Sequence, residues 1–291
     1  MEALAGREEV LASERRWSLP VALATLAAVA LLIGSAIVVS PVNGDGDGEV
    51  LRAAHEHSSA VTLSSVMQTI AFVLLVAPLA YLFRAAQARS GKVRAQLISL
   101  VVAAPLFLAA ASVLNAVATS DAASDFVEGK ATADLTVEEA TVECGSERKE
   151  DAASFREEFG GDAQGPGPLR GCAATKVADD EATNAISDAP ARAAATGFGL
   201  GGRLGLAFAL FYTCLWAMRT GLLSRFWGSL GMALGAAALL LLIQFTMIWF
   251  LYFALLAAGW VPGGRPPAWA AGEAIPWPTP GEKAAADPQK G

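Results

Sequence analysis

Aspartate, glutamate and lysine are absent from five long stretches of this chain, residues 19–39, 61–83, 97–117, 197–218 and 227–258. A buried helix of that length in a soluble protein keeps a polar face, and these stretches have none. The absence excludes a soluble globular fold. Each stretch meets the roughly 20 apolar residues that a helix needs to cross a hydrocarbon core about 30 Å thick. Arg203 is the single charged side chain within them. No lysine is placed to form a retinal Schiff base, no acid to relay protons, and no serine–histidine or paired-aspartate set suggests proteolysis in the membrane. Histidine is nearly missing, with His55 and His57 the only two. Basic residues number 21 against 28 acids and form no stripe, which argues against a nucleic-acid partner.

What charge there is lies between the stretches, and its sign alternates. Arg7, Arg15 and Arg16 precede the first stretch, while Arg84, Arg89, Lys92 and Arg94 follow the second without any acid. Arg219 and Arg225 separate the fourth from the fifth. Residues 43–60 carry Arg52 against Asp45, Asp47, Glu49 and Glu56. Because positive residues near helix ends stay in the cytoplasm, the expected topology has the N-terminus inside and the C-terminus outside. The first stretch exceeds the roughly 7–15 apolar residues of a signal peptide and lacks a clean small-x-small site, so it is read as an uncleaved helix.

The expected organisation follows. Residues 1–18 form a cytoplasmic segment and 19–117 carry transmembrane helices one to three. Residues 118–196 make an extracytoplasmic acidic cap, 197–258 carry helices four and five, and 259–291 form a proline- and tryptophan-rich tail without regular structure. The cap holds 17 acids against 7 bases. Within it, residues 147–159 read as a short helix with Phe155 and Phe159 on one face, and 160–171 as a glycine- and proline-rich turn. Asp188 before Pro190 reads as a helix start. In the tail, Trp260, Trp269 and Trp277 suit the headgroup level, and Pro276-Trp277-Pro278-Thr279-Pro280 has the composition of a recognition peptide. The fold class is thus all-α, a five-helix membrane bundle with an acidic, mostly helical insertion between helices three and four.

Several motifs bear on chemistry. Cys144 and Cys172 are the only cysteines of the cap, and an oxidising exterior would join them, stabilising the loop by roughly 3–4 kcal/mol. Cys214 reads as small apolar packing. His55 and His57 could meet one metal ion from a strand but diverge by about 200° on a helix. The run from Asn43 to Glu49 imitates a calcium loop, yet Ala54 stands where the bidentate glutamate belongs. Gly197-Phe198-Gly199-Leu200-Gly201-Gly202 matches the dinucleotide fingerprint but lacks the preceding strand and later acid. Gly197, Gly201 and Gly205, with Gly231 and Gly235, read instead as helix-packing surfaces, between helices four and five or with a second subunit. Arg203 is placed to snorkel or to bind an anionic lipid or substrate, and Asn115 and Gln244 to bond across helices. No cofactor is expected.

Two segments carry a resemblance. Tyr81-Leu82-Phe83-Arg84-Ala85-Ala86-Gln87-Ala88-Arg89 and the run from Gly221 to Gly231 resemble multi-pass membrane proteins of high-GC actinobacteria, a group that brings no assigned activity. The expectation is a plasma-membrane accessory protein, not an enzyme, whose partners are the lipid bilayer, an extracytoplasmic protein and a second copy of itself. The alternative is a small-molecule or lipid transporter using Arg203, Gln244 and Asn115.

Overall fold

A computed structural model describes residues 2–44, 46–150, 154–155, 159, 166–239 and 243–278. Helices occur throughout, and no strand is found among the described residues. They are α1 (Glu2–Val39), α2 (Asp47–Glu56), α3 (Ser58–Arg89), α4 (Ile98–Val127), α5 (Val137–Glu150), α6 (Pro166–Asp188), α7 (Arg192–Arg219), α8 (Arg225–Leu239), α9 (Thr246–Ala258) and α10 (Pro267–Ala271). Four of them lie in segments long and apolar enough to span a membrane: Arg7–Val42, Ser58–Arg89, Ala95–Val127 and Arg192–Arg219. Their outward faces keep large apolar side chains exposed, among them Leu23, Ile37, Leu63, Ile70, Leu204 and Phe211. Water would penalise such a surface and lipid tails do not, so the chain is an integral membrane protein.

The chain divides into two compact units. One comprises Met1–Ile33, Met67–Ala111 and Gly197–Gly291. Its core is built on Leu79, Leu82, Phe83, Leu210, Trp249 and Phe253. Small residues let its helices approach closely, because dispersion between backbones replaces the hydrophobic drive in lipid. A Cβ added at Gly205 would lie 2.8 Å from the Ala104 side chain, and one at Gly201 3.3 Å from Phe107. That face of α7 therefore meets α4. Gly235 meets α7 instead, 3.1 Å from the Leu210 side chain, and Gly231 abuts Cys214. A Cβ added at Gly197 would meet no other helix within 4 Å among the described residues.

The fifth apolar stretch corrects the expected five-span bundle. Among the described residues it forms two helices of 15 and 13 residues, each shorter than the roughly 20 needed to cross. Trp227 at the start of α8 stacks on Tyr252 late in α9 at 3.6 Å, and the Trp249 indole N–H donates to the Trp227 carbonyl at 3.1 Å. The two helices are therefore a hairpin. The chain after Ala258 returns to the end of the unit where the 220–224 turn lies, rather than emerging opposite it. The Ile275 amide donates to the Thr220 carbonyl at 3.1 Å, and the Trp269 and Trp277 indoles donate to the Leu222 and Leu223 carbonyls at 2.9 and 2.8 Å. Residues 259–278 are thus held against the bundle, where the prolines suggested a segment without regular structure.

The second unit comprises Gly34–Val66 and Ser112–Thr196. Small side chains build its two apolar clusters. One gathers Leu51, Ala122, Phe126 and Ala182, and the other Ala140, Phe155, Ala173, Cys144 and Cys172. The sulfurs of Cys144 and Cys172 are at disulfide distance, with Cα atoms 6.1 Å apart. Adjacent acids on α6 accept backbone amides from other segments of the unit. Asp179 accepts from the Gly48 amide at 2.9 Å at the start of α2, and Asp180 from the Leu135 amide at 2.8 Å ahead of α5. A side chain at Gly46 would sit 2.6 Å from the Asp179 carboxylate, so the glycine run serves this approach rather than a calcium loop. Asp45 lies outside the described residues, as do 151–153, 156–158 and 160–165, while 147–150, 154–155 and 159 are helical and α6 already begins at Pro166, inside the expected turn.

Candidate functional site

The most concentrated chemistry in the first unit surrounds Arg89, in the last turn of α3. Its side chain is fully buried, and Glu14 of α1 is nearly so. The guanidinium meets the carboxylate in a bidentate pair, Nη1 to Oε1 at 2.5 Å and Nη2 to Oε2 at 2.9 Å. Nη1 also donates to the Ala85 carbonyl at 3.0 Å, and Nε and Nη2 both donate to the Ala268 carbonyl at 3.0 Å. An arginine has five N–H donors, and all five are used here. This matters because a buried ion pair survives only when its remaining donors are also satisfied.

Aromatic groups enclose the pair. The Arg89 guanidinium lies 5.5 Å from the Trp269 ring centroid, and Tyr81 stacks on that ring at 5.6 Å. The Tyr81 hydroxyl donates to the Glu14 carbonyl at 3.1 Å. Arg265 faces Trp269 at 5.9 Å while its Nε donates to the Leu256 carbonyl, closing the end of α9. Arg7 pairs with Glu273. The centre therefore ties α1, α3 and the tail together. With every donor engaged and arginine permanently charged, it offers no acid or base for catalysis. Its role is positional.

Beside it, a groove of about 490 Å³ runs between α1 and α3. The helices run antiparallel, so Glu9 and Ala88 stand towards one end, Val21 and Ala77 towards the other, and Trp17 and Arg84 between them.

The residues singled out from sequence are scattered. Arg203 is half-buried on α7 and has no hydrogen bond or ion pair among the described residues. Gln244 is exposed in the turn between α8 and α9. Asn115 accepts from Arg192 Nη1 at 3.2 Å in the other unit. None of the three lines the groove. His55 is in the last turn of α2 and His57 caps it, both exposed, and a helix turns their imidazoles apart. Glu147 has a ligand atom near both sulfurs of the cysteine pair, but it is engaged by Lys176 Nζ at 2.8 Å. That contact raises the Lys176 pKa above its ordinary value.

Sequence reasoning missed Arg89 and Glu14, treating the first as a topological marker and the second as part of a terminal segment. They stand 75 positions apart, and Ala268 lies 179 positions from Arg89. No local pattern links them. Comparison with protein-family models, curated proteins and solved structures finds no match to this chain.

Proposed function

We propose that this is a non-enzymatic accessory protein of the plasma membrane, acting through residues 118–196 on the extracytoplasmic side to hold a protein partner with a basic surface. One observation carries the reading: the second unit has its own apolar clusters around the Cys144–Cys172 pair, while its exposed surface is acidic. Glu138, Glu139, Glu143, Glu147 and Glu150 are all exposed on α5. Lys176 neutralises part of this face through Glu143 and Glu147, leaving a net negative surface that favours encounter with a cationic partner. In this reading the N-terminus and the cation-rich turns face the cytoplasm. Residues 259–278, docked on the 220–224 turn, lie with them in this reading, on the side opposite to the extracytoplasmic one expected for the tail from five spans.

Crosslinking in native membranes followed by mass spectrometry tests the proposal. A reproducible protein joined to residues 118–196, released by Glu→Lys changes at 138 and 150, supports it. Self-crosslinks alone would overturn it. An impermeant thiol reagent on intact cells tests the side: Cys144 and Cys172 should react only after reduction, and labelling that requires lysis would refute the topology.

A further inference from the structure

A second cavity, of about 430 Å³, lies where the docked tail meets the turn between α7 and α8. Its walls come from three segments. Met218 and Arg219 end α7, Arg225 and Ser229 lie four apart at the start of α8 and so share one face, and Pro276 and Trp277 belong to the tail. The tail wall is fixed in place. The Trp277 indole donates to the Leu223 carbonyl at 2.8 Å, and Arg225 Nη2 donates to the Trp277 and Pro278 carbonyls at 3.1 and 2.9 Å. Arg225 Nε and Nη1 then have no partner among the described residues. Arg219 has no hydrogen bond or ion pair among them either, and its guanidinium only faces the Trp216 ring at 5.4 Å. Arg7, Arg89 and Arg265 of the same unit are matched by carboxylates or carbonyls, whereas no acid among the described residues lines this cavity. Two like charges thus stand around one space without a counter-charge.

We infer that this cavity binds the phosphate of one anionic membrane lipid, and that the lipid locks the tail to the turn. Depth selects a lipid: Arg219 closes Arg192–Arg219, a segment long and apolar enough to span a membrane, so its charge stands at the headgroup level. Chemistry selects phosphate, because the planar fork of arginine matches its oxygens and the Ser229 hydroxyl adds a neutral donor. Met218, Pro276 and Trp277 supply an apolar wall for the glycerol and the start of an acyl chain. A zwitterionic headgroup would bring a third cation against two that already repel, so net charge decides the choice. Pro276 and Trp277 complete the cavity only when the tail is docked, and a ligand that binds only the docked form stabilises it by mass action.

Native mass spectrometry of the full chain, with phosphatidylglycerol and phosphatidylcholine of identical chains added separately, tests this site. One phosphatidylglycerol should be retained in preference to phosphatidylcholine, and Arg219→Gln should weaken that retention about tenfold, the cost of one charge-assisted contact. Arg84→Gln removes an exposed arginine outside the cavity and should leave retention unchanged. Arg219 is exposed and makes no hydrogen bond to the described tail, so an unchanged melting temperature separates lost binding from lost folding. Equal retention of the two lipids, unchanged retention in Arg219→Gln, or an equal loss in Arg84→Gln overturns the inference. The lock is read from the Ile275 amide, which donates to the Thr220 carbonyl. It should exchange with solvent several-fold more slowly in phosphatidylglycerol nanodiscs than in phosphatidylcholine ones, and Arg219→Gln should abolish that difference. An exchange rate indifferent to the lipid would refute the lock. The same slowing by inorganic phosphate added to phosphatidylcholine discs would assign the cavity to a free anion and refute the lipid.

Discussion

Replacing Arg89 by methionine removes the guanidinium and keeps much of its apolar bulk. The Glu14 carboxylate loses both hydrogen bonds of its bidentate pair, and the Ala268 carbonyl loses two donors. Breaking a buried pair from one side costs about 3–5 kcal/mol, because the surviving charge is left without compensation. An orphaned carbonyl adds about 1–3 kcal/mol while it stays buried. These costs do not add in full, since the tail can lift and expose Ala268 to water. A net loss of about 3–5 kcal/mol is expected, lowering the thermal midpoint in lipid nanodiscs by on the order of 10 °C. Arg89→Met/Glu14→Leu should recover most of that loss, because an apolar pair replaces the ion pair without stranding a charge. Tail docking should not recover, and the Ile275 amide, which donates to the Thr220 carbonyl, should exchange with solvent faster in both variants than in wild type. A midpoint lowered by less than about 2 °C in Arg89→Met would refute the argument that this pair holds the unit together. So would a double variant as unstable as the single one.

Three further outcomes are expected. Cys144→Ser opens a link across 28 positions, and the chain-entropy estimate for that closure is about 3.5 kcal/mol. The second unit should lose its helical hydrogen-exchange protection at lower denaturant, and an unchanged midpoint would contradict the link. Gly221 has φ +79°, and an added Cβ would collide with the Ile275 carbonyl oxygen. Gly221→Val should therefore release the Ile275 amide to exchange at least about tenfold faster, with the protection of α3 as the control. At the start of α5, the Thr136 hydroxyl, then its amide, hydrogen-bond to the Glu139 carboxylate and hold its pKa below the ordinary value of 4.5. A depressed folded pKa means the contribution is present above the unfolded value and lost as pH falls through the folded one. Glu139→Gln should consequently fray α5 at pH 7 relative to wild type, and the difference should shrink as the pH falls below the ordinary carboxylate range. Exchange at the first turn of α5 that differs equally at pH 7 and pH 3 would contradict this capping.

Much of the membrane architecture is legible in the sequence because it depends on local composition. A stretch such as 61–83 or 97–117 has one low-energy option in lipid, a helix that satisfies its own backbone. The glycine spacing on α7 likewise announced close packing, though it could not say that Gly205 meets Ala104 on α4 while Gly235 meets Leu210 on α7. The fifth stretch held a signal that went unread. Its 32 residues would extend about 48 Å as one helix, well beyond a hydrocarbon core of about 30 Å. A length of that size suits two short helices folded together.

By itself the sequence determined that this chain is helical, membrane-embedded and acidic between its third and fourth apolar stretches. Apolar length, charge sign and cysteine number are properties of contiguous residues, and their consequences follow wherever the segment sits. Only the tertiary structure decided that Arg89, Glu14 and Ala268 share one buried centre, that the tail returns to the 220–224 turn, and that Trp277 completes a cavity with Arg219 and Arg225. Those arrangements join residues far apart along the chain. They are set by which helix faces pack together, a choice made by the summed burial and hydrogen bonding of the whole fold rather than by any local pattern.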